Sequence, residues 1–562
     1  MTSRRTQYII LITVLATVFL YGLHSIADFD TGYHLQTGHY IVTHGMVPLY
    51  DIFSSQGGGV RWIAHYWLSD VFFFLVYALG GYGGLIVLVG AMAVLTWWMV
   101  MRTAYQYTGK SFLVPLLLLP YTSLTYELWV VRPQIYTYAA TALLLYLLER
   151  WRRTENKKIL VGVIVLVVVW ANLHAGVILG IAIVGLYGIA YAYHRRAHVR
   201  NALMPLGLFL AAIAVTIVNP NGYATLWYEQ IIGTSVRTVG TLEWKSLLYF
   251  LPDTIESKAF LGLMVVVAVH VGWVVIRRIR RMKVVSQEDI VSLGLLAGAC
   301  ALPLMSIRHV ILFLIMTFPL FVMSVQTLYT HRVSLHMRKT FVWGAMGLVG
   351  IFCIGGLVHA LGLQKINDHM LPVGAVQFIQ DHHIAGPTFN NMEMGGYLIW
   401  TLWPQQKVLF DGRSEIYAGA ANDNYVSIFL GSAGWQKAWD AYHPNNVLLA
   451  YRDTNVAPAP IVGNLIARLQ SMGYDLVYWD DAAVLLLKDT PGNKNIIDTY
   501  AYHDIGPFVN PTSIPAGDIK SAMVEAQRAL DAAPDSIEVQ NFATLLLQRI
   551  KNNYQWPISN DQ

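Results

Sequence analysis

Ser25-Ile26-Ala27-Asp28-Phe29-Asp30-Thr31-Gly32-Tyr33-His34 follows closely on the apolar run Tyr8–Tyr21. It places two carboxylates, Asp28 and Asp30, just outboard of a helix with nearly the length needed to cross a bilayer. Lipid headgroups give acids no reward there, and a carboxylate close to hydrocarbon is costly. The pair therefore points to a polar ligand rather than to a solvated helix-flanking turn. Met1-Thr2-Ser3-Arg4-Arg5 before the apolar run imitates a signal peptide, and Ser25-Ile26-Ala27 loosely imitates a cleavage site. The apolar core is long for a signal sequence, so an uncleaved first span is the expectation.

Composition extends this to the whole chain. Of 562 residues, 55% are hydrophobic and 13% charged, and the mean hydropathy is +0.47. A soluble protein would carry about a quarter charged residues, so the chain reads as a polytopic membrane protein. The net charge of +5 is unevenly placed and speaks to topology, not to nucleic acid. Cys300 and Cys353 both lie in apolar segments, which argues against a disulfide framework or a zinc site.

About eleven spans of roughly 20 residues are expected, near 7–25, 83–101, 111–127, 134–149, 158–173, 176–193, 203–218, 259–276, 290–306, 309–328 and 340–361. The basic clusters at Arg4-Arg5, 102–110, 150–158, 195–200, 277–283 and 332–339 then all fall on one side. The positive-inside rule makes that side cytoplasmic. The N-terminus is thus expected inside and the C-terminal region outside, in a bacterial inner membrane. Segment 66–80 would spoil this parity as a span; with Asp70 near its start and Gly80-Gly81 at its end, it reads as a helix at the outer interface.

This topology gathers polar residues on the outer face: Asp28, Asp30, His34, His39, His44, Asp51 and His65 in the first outer loop, 26–82, then Arg132 before Pro133. Asn172 and His174 follow in a tight turn, Glu229, Arg237, Glu243 and Lys245 in loop 219–258, and Arg308-His309 between two spans. Charges at a membrane boundary usually face a cavity and mark function. Most Tyr and Trp residues read as interfacial belts, with Trp62, Trp67 and Trp244 as candidates for sugar stacking.

The expected units are a transmembrane domain over 1–361, an extracytoplasmic α/β domain over 362–490, and a linker with a TPR-like helical hairpin over 491–562. In the α/β domain, strands are expected at Thr388–Asn390, 397–400, 407–410, 447–451, 476–479 and 483–488, with helices at 372–382, Trp435–Tyr442 and 461–472. Asp411-Gly412-Arg413 reads first as a turn at a strand end. The pattern Ala522, Ala526, Ala529-Leu530, Ala533-Pro534 suggests one repeat hairpin, which must pack on something else.

The run Asp28-x-Asp30…Gly38…Gly45-x-x-Pro48-x-x-Asp51-x-Phe53-Ser54 resembles that of uncharacterised bacterial membrane proteins of the GT-C superfamily. So do Arg132-Pro133-Gln134, Trp170-x-Asn172-x-His174-x-Gly176, Gly395-Gly396-Tyr397-Leu398 and Asp411-Gly412-Arg413. These are integral-membrane glycosyltransferases that take sugars from polyprenyl-phosphate carriers. The resemblance implies an early acidic outer loop, an interfacial helix, a C-terminal outer domain and an inverting reaction, with no assigned substrate.

The residue chemistry fits that class. Sugar transfer needs a carboxylate to take the acceptor hydroxyl's proton and positive charge to stabilise the departing phosphate. Asp28 or Asp30 is the candidate base; His34, His65, Arg132, Asn172, His174, Arg308 and His309 are candidates for binding donor phosphate or substrate. Alternatively Asp28 and Asp30, with His34 and His65, would hold a divalent Mg or Mn ion. The expected partners are a polyprenyl-phosphate-linked sugar, a glycan, lipid or protein acceptor, and membrane lipid. A transporter or flippase is the rival reading, although no duplicated halves are evident. A non-catalytic envelope assembly protein is a third.

Overall fold

The computed structural model describes residues 4–109, 111–196, 200–225, 242–332, 335–417, 419–452 and 458–553. Glu229 and Arg237 lie outside them. Each expected span contains helix. The first outer loop contributes α2 (Thr31–His44) between α1 (Arg4–Tyr21) and α3 (Trp67–Thr108). There follow α4 (Leu113–Ser123), α5 (Gln134–Thr154), α6 (Lys158–Leu173), α7 (Val177–His194) and α8 (Arg200–Ala214). The remaining bundle helices are α9 (Ile255–Met282), α10 (Gln287–Met305), α11 (Val310–Arg332) and α12 (Leu335–Leu361).

Among the described residues, five helices are long and apolar enough to cross a membrane: α3, α7, α9, α10 and Ile307–Thr327. Shorter apolar helices accompany them, including Tyr8–Tyr21 and Lys158–Leu173. On α9, Val265, Val266, Val269 and Trp273 stand exposed, a face that lipid tails cover without penalty. The chain is an integral membrane protein.

Helix α3 breaks where Gly80-Gly81 suggested. Gly81 has φ +57 and ψ −153, a conformation in which a Cβ is strained, and it separates 67–80 from 82–108. Away from that break, buried Glu149 is held by Arg152 and Arg153, each at 2.6 Å. Arg152 also reaches Glu288 at 2.9 Å, and Arg278 pairs with Glu288 at 2.5 Å. This network ties α5, α9 and α10 together.

Past α12 the chain builds a mixed four-stranded sheet in the order β1-β2-β4-β3, from β1 (Thr388–Asn390), β2 (Asn446–Leu449), β3 (Tyr474–Trp479) and β4 (Val484–Lys488). Only the β1–β2 pair is parallel. Helices α13 (Val373–Asp381), α14 (Met392–Leu402), α15 (Ala420–Leu430), α16 (Trp435–Tyr442), α17 (Ala459–Ser471) and α18 (Lys494–Tyr500) accompany it.

Two expected strands are corrected. Residues 397–400 lie inside α14, and 407–410 make only isolated bridges through Val408, to Ser54 and Thr388. The apolar run of α14 is buried by a helix crossing rather than by a sheet. Gly396 of α14 meets α2 at Gly32 so closely that a Cβ on Gly32 would collide with the Gly396 carbonyl. Beyond the sheet, α19 (Ile519–Ala532) and α20 (Ile537–Asn553) form a helical hairpin. Asp481 docks it by accepting hydrogen bonds from the backbone N–H groups of Ile537 and Glu538 at 3.0 and 2.8 Å.

One buried ion triad joins the α/β domain to the first outer loop. Arg413 Nη2 lies 2.8 Å from Asp51 and 2.6 Å from Asp411, and the guanidinium sits 4.5 Å over the Trp62 ring. All three charged side chains are fully buried. The Asp-Gly-Arg turn is therefore a structural joint, and no strand immediately precedes it. Asp51→Ala, which deprives a buried cation of one counter-charge, is expected to cost about 3–5 kcal/mol. The check is a lowered thermal unfolding temperature in detergent, with Asp51→Asn less affected.

Candidate active site

A cavity of about 480 Å³ opens where the first outer loop, the short turns between helices and the α/β domain converge. The start of α2 supplies Asp30, Tyr33 and His34; the stretch before α3 supplies His65 and Tyr66; the turn before α5 supplies Arg132. His174, Glu243, Trp244, Arg308 and His309 complete the helical side. Met392, Glu393 and Gly412 to Glu415 close it from the α/β side.

Seven of the nine residues singled out from sequence line this cavity: Asp30, His34, His65, Arg132, His174, Arg308 and His309. Asp28 stands behind Asp30, its carboxylate accepting the Asp30 backbone N–H at 2.9 Å. Asn172 is engaged elsewhere. Its amide accepts from the Trp67 indole at 2.9 Å and donates to the carbonyls of Val168 and Val218. It thus staples helix ends below the cavity. Of the three tryptophans, Trp62 is buried beneath Arg413, Trp67 is held by Asn172, and Trp244 lines the cavity with Arg308 4.8 Å over its ring.

Arg132 organises the acids. Its Nε lies 2.5 Å from Asp28, its Nη2 3.0 Å from Asp30 and its Nη1 2.9 Å from Glu243. Pro133 fixes the backbone just before α5, so the guanidinium projects from a rigid turn. Glu243 also approaches Arg308 Nη1, at 3.5 Å, while Arg308 Nη2 donates to Gln134 at 2.8 Å. Sequence reading counted Glu243 among the outer polar residues without selecting it. Its role depends on how loop 219–258 folds back onto the turn at 306–309. There Ser306 donates to the Glu243 carbonyl at 2.9 Å and the Ile307 N–H donates to that of Lys245.

The acids divide electrostatically. Glu243 is pulled down to about 2 by Arg308 and Arg132, which overcome its burial. Asp30 is pushed up to about 7, because burial and the neighbouring Asp28 and Glu243 outweigh Arg132 and Arg308. An acid poised near neutrality is suited to taking up a proton at neutral pH. Gly412 packs against Asp30 so closely that a Cβ there would strike its carboxylate.

His174 is held neutral. Burial, then Arg308 and His309, lower it to about 3. The Gly176 N–H lies 2.9 Å from Nδ1 and Thr137 Oγ1 3.0 Å from it, so Nδ1 is the accepting nitrogen and Nε2 carries the proton. His65 is likewise lowered by burial, and its ring lies 6.0 Å from that of His174.

Among the described residues no group of three or more His, Cys, Asp or Glu side chains is arranged to hold a metal. Asp28 and Asp30 each direct an oxygen at the Arg132 guanidinium, which lies between them.

No protein-family model matches the sequence, and no curated protein matches it. Solved structures do. The archaeal oligosaccharyltransferase AglB from Archaeoglobus fulgidus, in complex with an inhibitory peptide and a dolichol-phosphate, aligns over 79% of this chain and 69% of its own, with TM-score 0.56 and 8% identity. ArnT from Cupriavidus metallidurans, bound to undecaprenyl phosphate, aligns over 87% of this chain and 99% of its own, with TM-score 0.52 and 12% identity. Both are GT-C glycosyltransferases. This chain has the GT-C fold. That agrees with the resemblance read from its acidic loop, its interfacial helix and its C-terminal domain.

Removing Arg132 would leave three carboxylates facing one another with Arg308 alone. Arg132→Ala is expected to lose about 3–5 kcal/mol of stability at neutral pH. The sign follows from linkage: without Arg132 the acids have raised pKa values in the folded state, so stability returns as pH falls and they protonate. Thermal unfolding in detergent as a function of pH checks both statements.

Proposed function

We propose that this protein is a membrane glycosyltransferase that moves a sugar from a polyprenyl-phosphate carrier to a glycan, lipid or protein acceptor at the non-cytoplasmic face of a bacterial inner membrane. One observation carries the reading: Asp30, poised at about 7, faces a cavity shared with Arg308, His174 and His309. Support comes from the two structural neighbours, one solved with dolichol-phosphate and the other with undecaprenyl phosphate.

In this scheme the carrier's tail stays in lipid and its phosphate enters the cavity beside Arg308. The acceptor hydroxyl attacks the anomeric carbon from the opposite side, and its proton passes to the Asp30 carboxylate. The bond from that carbon to the phosphate oxygen breaks with its electron pair leaving on the phosphate, which inverts the configuration. Arg308, with His309 and the Nε2–H of His174, stabilises the departing charge. Arg132 is already committed to three carboxylates, so it holds the base in register rather than gripping the phosphate. Asp28 serves the same end by fixing Arg132 and the Asp30 backbone.

Asp30→Asn at normal protein level is expected to abolish a glycolipid or surface glycan seen by mass spectrometry in cells carrying the intact chain. An in vitro rate should fall by about 10²–10⁴-fold. An unchanged glycan profile would remove Asp30 from the chemistry. The base must be ionised to accept a proton, so kcat/KM should rise with pH through a midpoint near 7. Chelation with EDTA should leave the rate unchanged, since both aspartates are already paired with Arg132.

A further inference from the structure

Asp70 stands behind His34, which lines the cavity, and has no part in the scheme above. Its Oδ1 is 2.7 Å from His34 Nδ1, and both side chains are buried, at 0% and 2% exposure. The contact is held from every side. Gly38 of α2 packs against the Asp70 carbonyl, leaving no room for a Cβ between them. Ser69 donates to the Leu173 carbonyl at 2.6 Å, anchoring the start of α3. The His34 ring is packed among Tyr33, Tyr66 and Phe73, with centroids 4.3, 4.7 and 6.1 Å away. It has no room to turn, and with Nδ1 tied to Asp70, Nε2 is the nitrogen left for the cavity.

The second oxygen of Asp70, Oδ2, is buried with no hydrogen-bond partner. A bare carboxylate oxygen in such surroundings costs far more than a neutral carboxyl group. Burial accordingly lowers His34 well below the imidazole range. The charged groups facing His34 across the cavity, Arg132 and Arg413, together with His174, press it the same way. The pair is then neutral overall, with a single proton on the Oδ1–Nδ1 bond and a second fixed on Nε2.

We infer that Asp70 is a positioning residue that locks His34 as an uncharged Nε2–H donor to the sugar-phosphate in the cavity. This rests on the transfer reading. It adds a second imidazole N–H beside that of His174, each fixed by what its Nδ1 meets. Such donors stabilise developing negative charge without having to gain or lose a proton during the reaction.

Two readouts test the inference. Nitrogen-15 resonances of labelled histidine in the full-length protein, assigned to His34 by loss in His34→Gln, should show one Nε2-protonated tautomer from about pH 5 to about pH 8. An Nδ1-protonated ring, or an imidazolium titrating in that range, would overturn it. In turnover assays Asp70→Asn, whose amide can donate to Nδ1, should keep activity within a few-fold of the parent. Asp70→Leu should lower kcat about tenfold with little change in KM, and its His34 resonances should lose the single tautomer. Parent-like turnover in Asp70→Leu would contradict the assignment, as would equal losses in both variants. The resonance readout stands whether or not sugar transfer is found, so a failure of the transfer reading is told apart from a failure of this one.

Discussion

The architecture of the site depends on one guanidinium facing three acids. Arg132 binds Asp28, Asp30 and Glu243 through separate nitrogens, and those acids come from the first outer loop and from the loop before α9. Without a shared cation, three carboxylates so close would repel one another or be forced to protonate. With it, two are held in place and the third, Asp30, remains at the edge of ionisation. The cluster therefore holds a carboxyl group with a tuned affinity for protons at the cavity.

A second constraint keeps that base covered. The α/β domain does not hang on a linker. It is pinned by the Gly32–Gly396 helix crossing and by Arg413 between Asp51 and Asp411. The Ile26 N–H donates to the Lys365 carbonyl, and the Asn367 N–H donates to the Ile26 carbonyl, so the segment entering the acidic motif is bridged to the segment entering the domain. The same motif residues that carry the resemblance to the GT-C superfamily thus assemble the roof of the cavity. A buried ion triad contributes little net stability against an apolar replacement, but only one arrangement of loop and domain satisfies it. That arrangement sets Gly412 against the Asp30 carboxylate.

Much of this was legible in the chain. Apolar runs and basic clusters gave the helix positions, and Gly80-Gly81 marked the break before 82–108. Seven of nine chosen residues converged because charged side chains at short interhelical turns have few other places to go. Three things were not legible. The apolar run 397–400 has no periodicity that separates strand from helix, and the Gly395-Gly396 pair that makes it a packing helix declares itself only against Phe410-Asp411 and α2. Asp70 reads as one acid near a helix start, and only its contact with His34, 36 residues earlier, gives it meaning. Glu243 lies in a loop with several acids and bases, and nothing local distinguishes it from Glu229. Asn172 shows the converse: a polar residue at the boundary can be wholly taken up by backbone carbonyls and a neighbouring indole.

The most direct test is a structure of the protein solved with undecaprenyl phosphate. The account predicts the lipid tail against the bundle, the phosphate in the cavity within hydrogen-bonding distance of Arg308, and Asp30 still joined to Arg132 and facing the space where a sugar would sit. A phosphate bound away from Arg308, or a lipid that leaves this cavity empty while occupying another, would contradict it.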